Sequence, residues 1–216
     1  MGRERDRFRD RGDAGRRLGE RLSTYRHAPD TVVLGLPRGG VPVAAEIAKT
    51  LDLPLDVLIV RKLGVPGYEE VAFGAIASGG TTVLNTDVIR SAGVDDATIE
   101  RVTADQTLVL RRRETIYRRD RPPLEVADRT VIVVDDGTAT GATMRVAVDA
   151  LRSAQPARIV VAVGVAPPDT VRRLRSTADE VVAILTPRNF MAVGAWYDDF
   201  AQTTDEEVVA LLTGGG

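Results

Sequence analysis

Two adjacent carboxylates, Asp135 and Asp136, stand between an apolar run and a loop of small residues and threonines in "TVIVVDDGTATGATM", residues 130–144. Ionised carboxylates accept hydrogen bonds and donate none, so such a pair suits vicinal hydroxyls. The loop that follows, Gly137, Thr138, Ala139, Thr140, Gly141, Ala142 and Thr143, precedes a helix. Backbone N–H groups at a helix entry converge on one point, and the helix dipole favours an anion there. Acids beside a phosphate cradle therefore point to a sugar phosphate. The common P-loop is excluded, because its glycine spacing and its lysine before Ser or Thr are missing. An ordinary strand end with Asp caps accounts for less of the joint pattern.

The elements that must position these groups follow from the spacing of apolar residues. Ala14, Leu18, Leu22 and Tyr25 predict a short amphipathic helix behind an Asp13 cap, after an arginine-rich lead over residues 1–12. "TVVLGLP" is a strand and "GGVPVAAEIAKTL" a helix that tolerates Pro42 in its first turn. A second strand is expected at about 55–60, then a glycine-rich mobile loop over about 61–80 with a hairpin through "VAFGAIAS", then "TTVLN". A long helix should cover about 95–120. Beyond it come "RTVIVVDD", "TMRVAVDALRSA", "RIVVAVGVA", "PDTVRRLRSTA" and "DEVVAIL", strands alternating with helices. Alternation of this kind predicts an α/β fold with a doubly wound, mainly parallel central sheet and flanking helices, with ligands at the carboxyl ends of the strands. The tail leaves that rhythm and gathers Phe190, Trp196, Tyr197 and Phe200, a small aromatic lid. The expected organisation is one domain over 1–216, with a core at about 27–186, the loop at 61–80, and a hood at 187–216 joined by the N-terminal helix.

Composition narrows the chemistry. The 216 residues suffice for one well-filled α/β core. With 29 basic against 31 acidic side chains and a net charge of -2, nothing argues for a nucleic-acid or membrane partner, so any anion site must be local. The basic "RRRETIYRRD" is expected to be a solvated helix face. No cysteine is present and His27 is the one histidine, which excludes disulfides, thiolate catalysis and a histidine metal cluster. The N-terminus lacks the apolar segment of a signal peptide or anchor, so the expectation is a soluble cytoplasmic protein.

"VIVVDDGTATGATM" resembles the phosphoribosyl-pyrophosphate motif of the type I phosphoribosyltransferases. The resemblance implies that Asp135 and Asp136 hold the ribose hydroxyls and that residues 137–143 hold the 5-phosphate. "GLPRGGVP", about 100 residues earlier, is similar to the family's pyrophosphate loop. There Arg38 offers a fork of donors to a diphosphate, and Gly39 and Gly40 admit close backbone approach. "VRKLGVPGYEEVAFGAIASGG" resembles the catalytic loop, with Arg61 and Lys62 closing over the leaving pyrophosphate. The plainer alternative for these two is a pair of solvated charges. "VGAWYDDF" is similar to a hood segment of hypoxanthine-guanine enzymes, which would set Asp198 beside magnesium with Asp135 and Asp136, and Phe190, Met191 or Trp196 against a planar acceptor.

Two departures leave the acceptor open. Ala139 stands where 6-oxopurine enzymes carry an aspartate for the base's N7 proton, and Val65 where adenine enzymes tend to carry a lysine. The resemblance thus implies a Mg2+-dependent transfer from phosphoribosyl pyrophosphate to a nitrogen acceptor, by a homodimer. The alternative from another class is a sensor that binds the donor or a nucleotide without turnover. Arg38, Arg61 and Lys62 favour catalysis, because a sensor has no leaving group to stabilise.

Overall fold

In the computed structural model, which describes residues 7–119 and 121–214, Arg11–Arg21 form helix α1. Its cap is Asp10, whose carboxylate accepts from the Asp13 N–H at 2.7 Å, so the start lies earlier than the expected Asp13 cap. The first half of the arginine-rich lead, residues 1–6, lies outside the described residues. Strand β1, Thr31–Gly35, is buried throughout and feeds helix α2, Gly40–Leu51. Strand β2 covers only Leu55–Val57, and Leu58 N–H still donates to Gly35 O of β1 at 3.1 Å.

The segment expected to be a mobile loop is largely strand. Val60–Val65 (β3) and Tyr68–Ala77 (β4) pair antiparallel, and Thr82–Leu84 (β5) joins them in a separate three-stranded sheet. The glycines explain the difference. Gly67 takes the turn at φ 80°, but Gly64 and Gly74 sit where a Cβ would press on backbone oxygens, 2.8 Å from Glu69 O and 2.6 Å from Val83 O. They permit close approach of strands, which composition alone cannot tell from mobility. Leu63 and Phe73 are fully buried beneath the hairpin.

Helices α3, Thr86–Ala92, and α4, Asp96–Tyr117, follow, each with an Asn or Asp cap. Strand β6 is Thr130–Gly137, helix α5 Ala142–Ser153, strand β7 Arg158–Val165, helix α6 Pro168–Arg175 and strand β8 Glu180–Leu185. Helix α7, Asp205–Thr213, closes the tail with a Thr204–Glu207 capping box.

The main sheet has the order β2-β1-β6-β7-β8, all parallel. Successive residues point to opposite faces, so Val33, Ile132, Val134 and Val160 enter one core with α1 and α2. Val131, Val133, Val161 and Val163 enter the other with Met144, Val148 and Leu174 of α5 and α6. Both faces are covered, as the unbroken apolar strands predict.

The chain's ends are stitched together. Phe8 N–H donates to Trp196 O and Asp198 N–H to Phe8 O, both at 2.8 Å, and the Phe8 and Tyr197 rings lie 5.0 Å apart. The basic stretch is not wholly solvated either: Arg118 is buried and pairs with Asp56 at 2.9 Å, and just beyond the stretch Arg121 donates to Leu55 O at 2.9 Å and to Leu212 O. No helix among the described residues is long and apolar enough to cross a membrane.

Phe8 is fully buried between Tyr197 and the Arg17 guanidinium, 4.8 Å from its ring. Phe8→Ala is expected to lower stability by about 3–5 kcal/mol in urea unfolding. A loss under 1 kcal/mol would show that the seam between the ends carries little of the fold.

Candidate functional site

The parallel pairing of β1 with β6, in which Gly35 faces Val134, brings their carboxyl ends side by side. The loop from Leu36 to Gly39 and the Asp135–Asp136 pair therefore share one edge. They touch: a Cβ on Gly39 would collide with Asp136 Oδ2, and one on Gly40 would lie 2.5 Å from Val134 O. Only glycine lets the first loop close over the second acid.

Asp136 is 8% exposed, and its surroundings come from both ends of the chain. Arg11 Nε donates to Asp136 Oδ2 at 2.8 Å, while the same guanidinium donates to Ala201 O at 2.7 Å and lies 3.9 Å from the Phe200 ring centre. Tyr197 Oη donates to the Asp136 carbonyl at 2.5 Å. That bond needs Gly164, where a Cβ would stand 2.5 Å from both its partners. Neither Arg11 nor Tyr197 follows from sequence spacing: Arg11 is 125 residues from its partner, and Tyr197 reads as one more tail aromatic.

Burial and then the Asp136 charge push the Asp135 carboxyl well above its ordinary 3.8. Burial also raises Asp136, opposed by the Arg11 charge and hydrogen bond. Adjacent carboxylates in a poorly solvated corner resist double ionisation. Tyr197 is held above the usual 10.0 by burial and then by Asp136, so it stays a donor. Asp135 keeps partial exposure, and its Oδ1 accepts from Asp136 N–H at 2.9 Å.

The following loop enters α5 through Gly141 in the left-handed region, φ 74°. Thr138 Oγ1 accepts from Gly141 N–H at 2.9 Å and Thr140 Oγ1 from Ala142 N–H at 3.3 Å, so hydroxyls hold the amides that an anion would take. Thr170 Oγ1 donates to Ala139 O at 2.7 Å and fixes the loop's outer edge.

The basic residues lie around this edge. Arg38 has its backbone at the acids, but its guanidinium turns to Asp205 of α7 at 3.9 Å, where Tyr117 Oη also donates to Asp205 at 2.5 Å. Arg61 and Lys62 line a cavity of about 540 Å3 with Arg101, Asp105 and Thr143, the last residue of the anion loop. Arg61 Nε donates to Gln106 Oε1 at 2.9 Å, and burial followed by the Arg113 charge lowers its pKa.

Among the tail residues, Phe190 and Trp196 pack half-buried on the main core and Met191 is 90% exposed. The aromatic that reaches the acids is Tyr197, and Phe200 packs on Tyr197 and on the Arg11 guanidinium. Asp198 faces Arg7 at 3.8 Å on the surface. No group of three metal-binding side chains occurs among the described residues. With one Asp136 oxygen taken by Arg11, Asp135 is the accessible carboxylate. One or two carboxylates are the set Mg2+ accepts when phosphates and water supply the rest, so the pair fits a donor-borne Mg2+ and not an all-protein cage.

Residues 12–199 match the phosphoribosyl transferase domain family. A Mycobacterium tuberculosis protein provisionally named a phosphoribosyl transferase is 50% identical over 205 residues, 95% of this chain and 46% of that protein. The chain thus spans about half the length of that relative. The crystal structure of TT1426 from Thermus thermophilus superposes with a TM-score of 0.88 at 48% identity, covering 96% of this chain and 98% of that one. The bifunctional protein PyrR of Chloroflexus aurantiacus is 33% identical over 129 residues, 58% of this chain and 65% of its own.

A carboxyl whose folded pKa is raised binds more protons folded than unfolded, so its contribution to stability falls as pH rises through the folded value. Asp135→Asn is therefore expected to raise stability at pH 7 by about 1 kcal/mol and to flatten the decline above pH 3.8. Unfolding curves from pH 4 to 8 (roughly the carboxylate window) check this; destabilisation at neutral pH would contradict the assignment.

Proposed function

The chain belongs to the phosphoribosyl transferase family, and from that premise we propose that it transfers a 5-phosphoribosyl group from phosphoribosyl pyrophosphate to a nitrogen acceptor, releasing pyrophosphate. The observation that carries the proposal is the contact of Gly39 with Asp136, which brings the first glycine loop against the acid pair at the sheet edge where the loop into α5 begins.

In this proposal the ribose hydroxyls donate to Asp135 and to the Asp136 oxygen that Arg11 leaves free. The 5-phosphate takes the amides of residues 138–143, displacing the Thr138 and Thr140 hydroxyls, and gains from the α5 dipole. The amides of Gly39 and Gly40 meet the diphosphate, and Arg38 swings from Asp205. Arg61 and Lys62 stabilise charge on the departing group. The acceptor nitrogen's lone pair forms the new bond to the anomeric carbon as the carbon–oxygen pair leaves with pyrophosphate. The nitrogen's proton passes to solvent. Positioning and charge stabilisation suffice, without a covalent protein nucleophile. Mg2+, held by Asp135 and the donor's own oxygens, would neutralise diphosphate charge.

A nucleobase is the first acceptor class to test, and the proposal extends to a cytoplasmic homodimer of nucleobase salvage, working as one domain.

Asp135→Asn with Asp136→Asn is expected to weaken phosphoribosyl pyrophosphate binding at least ~100-fold in calorimetry with Mg2+ while the protein stays folded. Unchanged affinity would sink the proposal. Arg61→Ala with Lys62→Ala should keep donor affinity within about threefold and slow pyrophosphate release by about 10²-fold. Tight donor binding with no pyrophosphate release from any acceptor would turn the reading to a sensor.

A further inference from the structure

At the carboxyl ends of β7 and β8, on the far side of the anion loop from Arg61 and Lys62, a cleft of about 460 Å3 opens between α6 and the loop after β8. Ala139, Pro167, Asp169, Arg172, Arg173 and Arg188 are among its walls. Three guanidiniums face one carboxylate, in a chain whose overall charge is -2. Asp169 is already satisfied by Arg172 at 2.7 Å, which leaves two cations over.

Those two are placed differently. Arg173 Nη2 donates to Thr170 Oγ1 at 2.9 Å, and Thr170, 1% exposed, donates to Ala139 O at 2.7 Å. One guanidinium is thus tied through a buried hydroxyl to the rim of the anion loop. Arg188 approaches from the β8 side and makes no hydrogen bond or ion pair among the described residues. Ligands of open parallel sheets lie beyond strand carboxyl ends. Ala139 belongs both to the anion loop and to this cleft, so whatever enters lies next to the bound donor. At that position a carboxylate would cancel part of the positive field, and the methyl group leaves it intact.

We propose that this cleft receives the acceptor, and that the acceptor carries an anionic group, a carboxylate or a phosphate, which Arg188 and Arg173 bind. The inference rests on the phosphoribosyl transfer proposed above and names its second substrate by class: a nitrogen nucleophile with an acidic substituent. A planar guanidinium pairs with either anion through two parallel hydrogen bonds.

The test uses pairs of compounds matched in ring and differing in charge, orotate against uracil and nicotinate against nicotinamide. Each is titrated calorimetrically into the protein saturated with phosphoribosyl pyrophosphate and Mg2+. The charged member of at least one pair should bind at least ~10-fold more tightly, and Arg188→Gln should bring that ratio below about 2 with donor affinity unchanged. Arg173→Gln should also bring the ratio below about 2, with a modest loss of donor affinity because Arg173 braces the anion loop through Thr170. Equal binding within both pairs, or binding by no member, overturns the proposal. Loss of donor affinity in Arg188→Gln also overturns it, by assigning the cleft to the donor's phosphates. Failure of the unaltered protein to bind phosphoribosyl pyrophosphate instead removes the transfer reading. The same titrations on the free protein then separate the two: a charge preference lost in Arg188→Gln keeps the anion cleft, and equal binding removes it.

Discussion

The buried carboxylate of Asp136 is the constraint on which the site's architecture depends. A charge held at 8% exposure must be paired and hydrogen-bonded, or it costs several kcal/mol. Arg11 supplies the pairing at 2.8 Å, and is itself held by Ala201 O and the Phe200 ring. Tyr197 takes the carbonyl of the same residue and packs on Phe8. Gly39 and Gly164 are bare because the carboxylate and the phenol occupy the space their side chains would need. One acid at a strand end thus draws the first helix, the Leu36–Gly39 loop and the C-terminal tail onto a common point.

Around that point the backbone is set and the side chains are parked. Amides of the anion loop are satisfied by Thr138 and Thr140, and Arg38 rests near Asp205 at 3.9 Å with both partners more than a third exposed. An exposed pair at that distance contributes little, so Arg38 leaves it at little cost. The firm part is the other kind of interaction: Thr170 to Ala139, and Arg11 to Asp136, both short and shielded.

Two partnerships are missing from the sequence pattern for one cause. In the glycine-rich stretch at 61–80, Gly64 and Gly74 mark places where neighbouring strands pass too close for a Cβ. The basic stretch suggests a solvated face, yet Arg118 turns inward to Asp56. A glycine or an arginine has the same local signature in either setting. What differs is a neighbour dozens of residues away, which composition does not record.

The sequence by itself determined the order of strands and helices, the parallel sheet, and the strand-end position of Asp135, Asp136 and the Thr138–Thr143 loop, because apolar periodicity and helix-entry chemistry are local. It also located Arg38, Gly39 and Gly40, since a glycine loop after a buried strand carries its own signal. Tertiary structure alone decided that Gly39 meets Asp136, that Arg11 and Tyr197 hold that acid, that Asp198 pairs with Arg7, and that Arg173 and Arg188 share a cleft with Ala139. These are contacts between segments far apart in the chain. Their geometry is set by how the β6 end, the helices and the tail pack, and not by any residue's own preference.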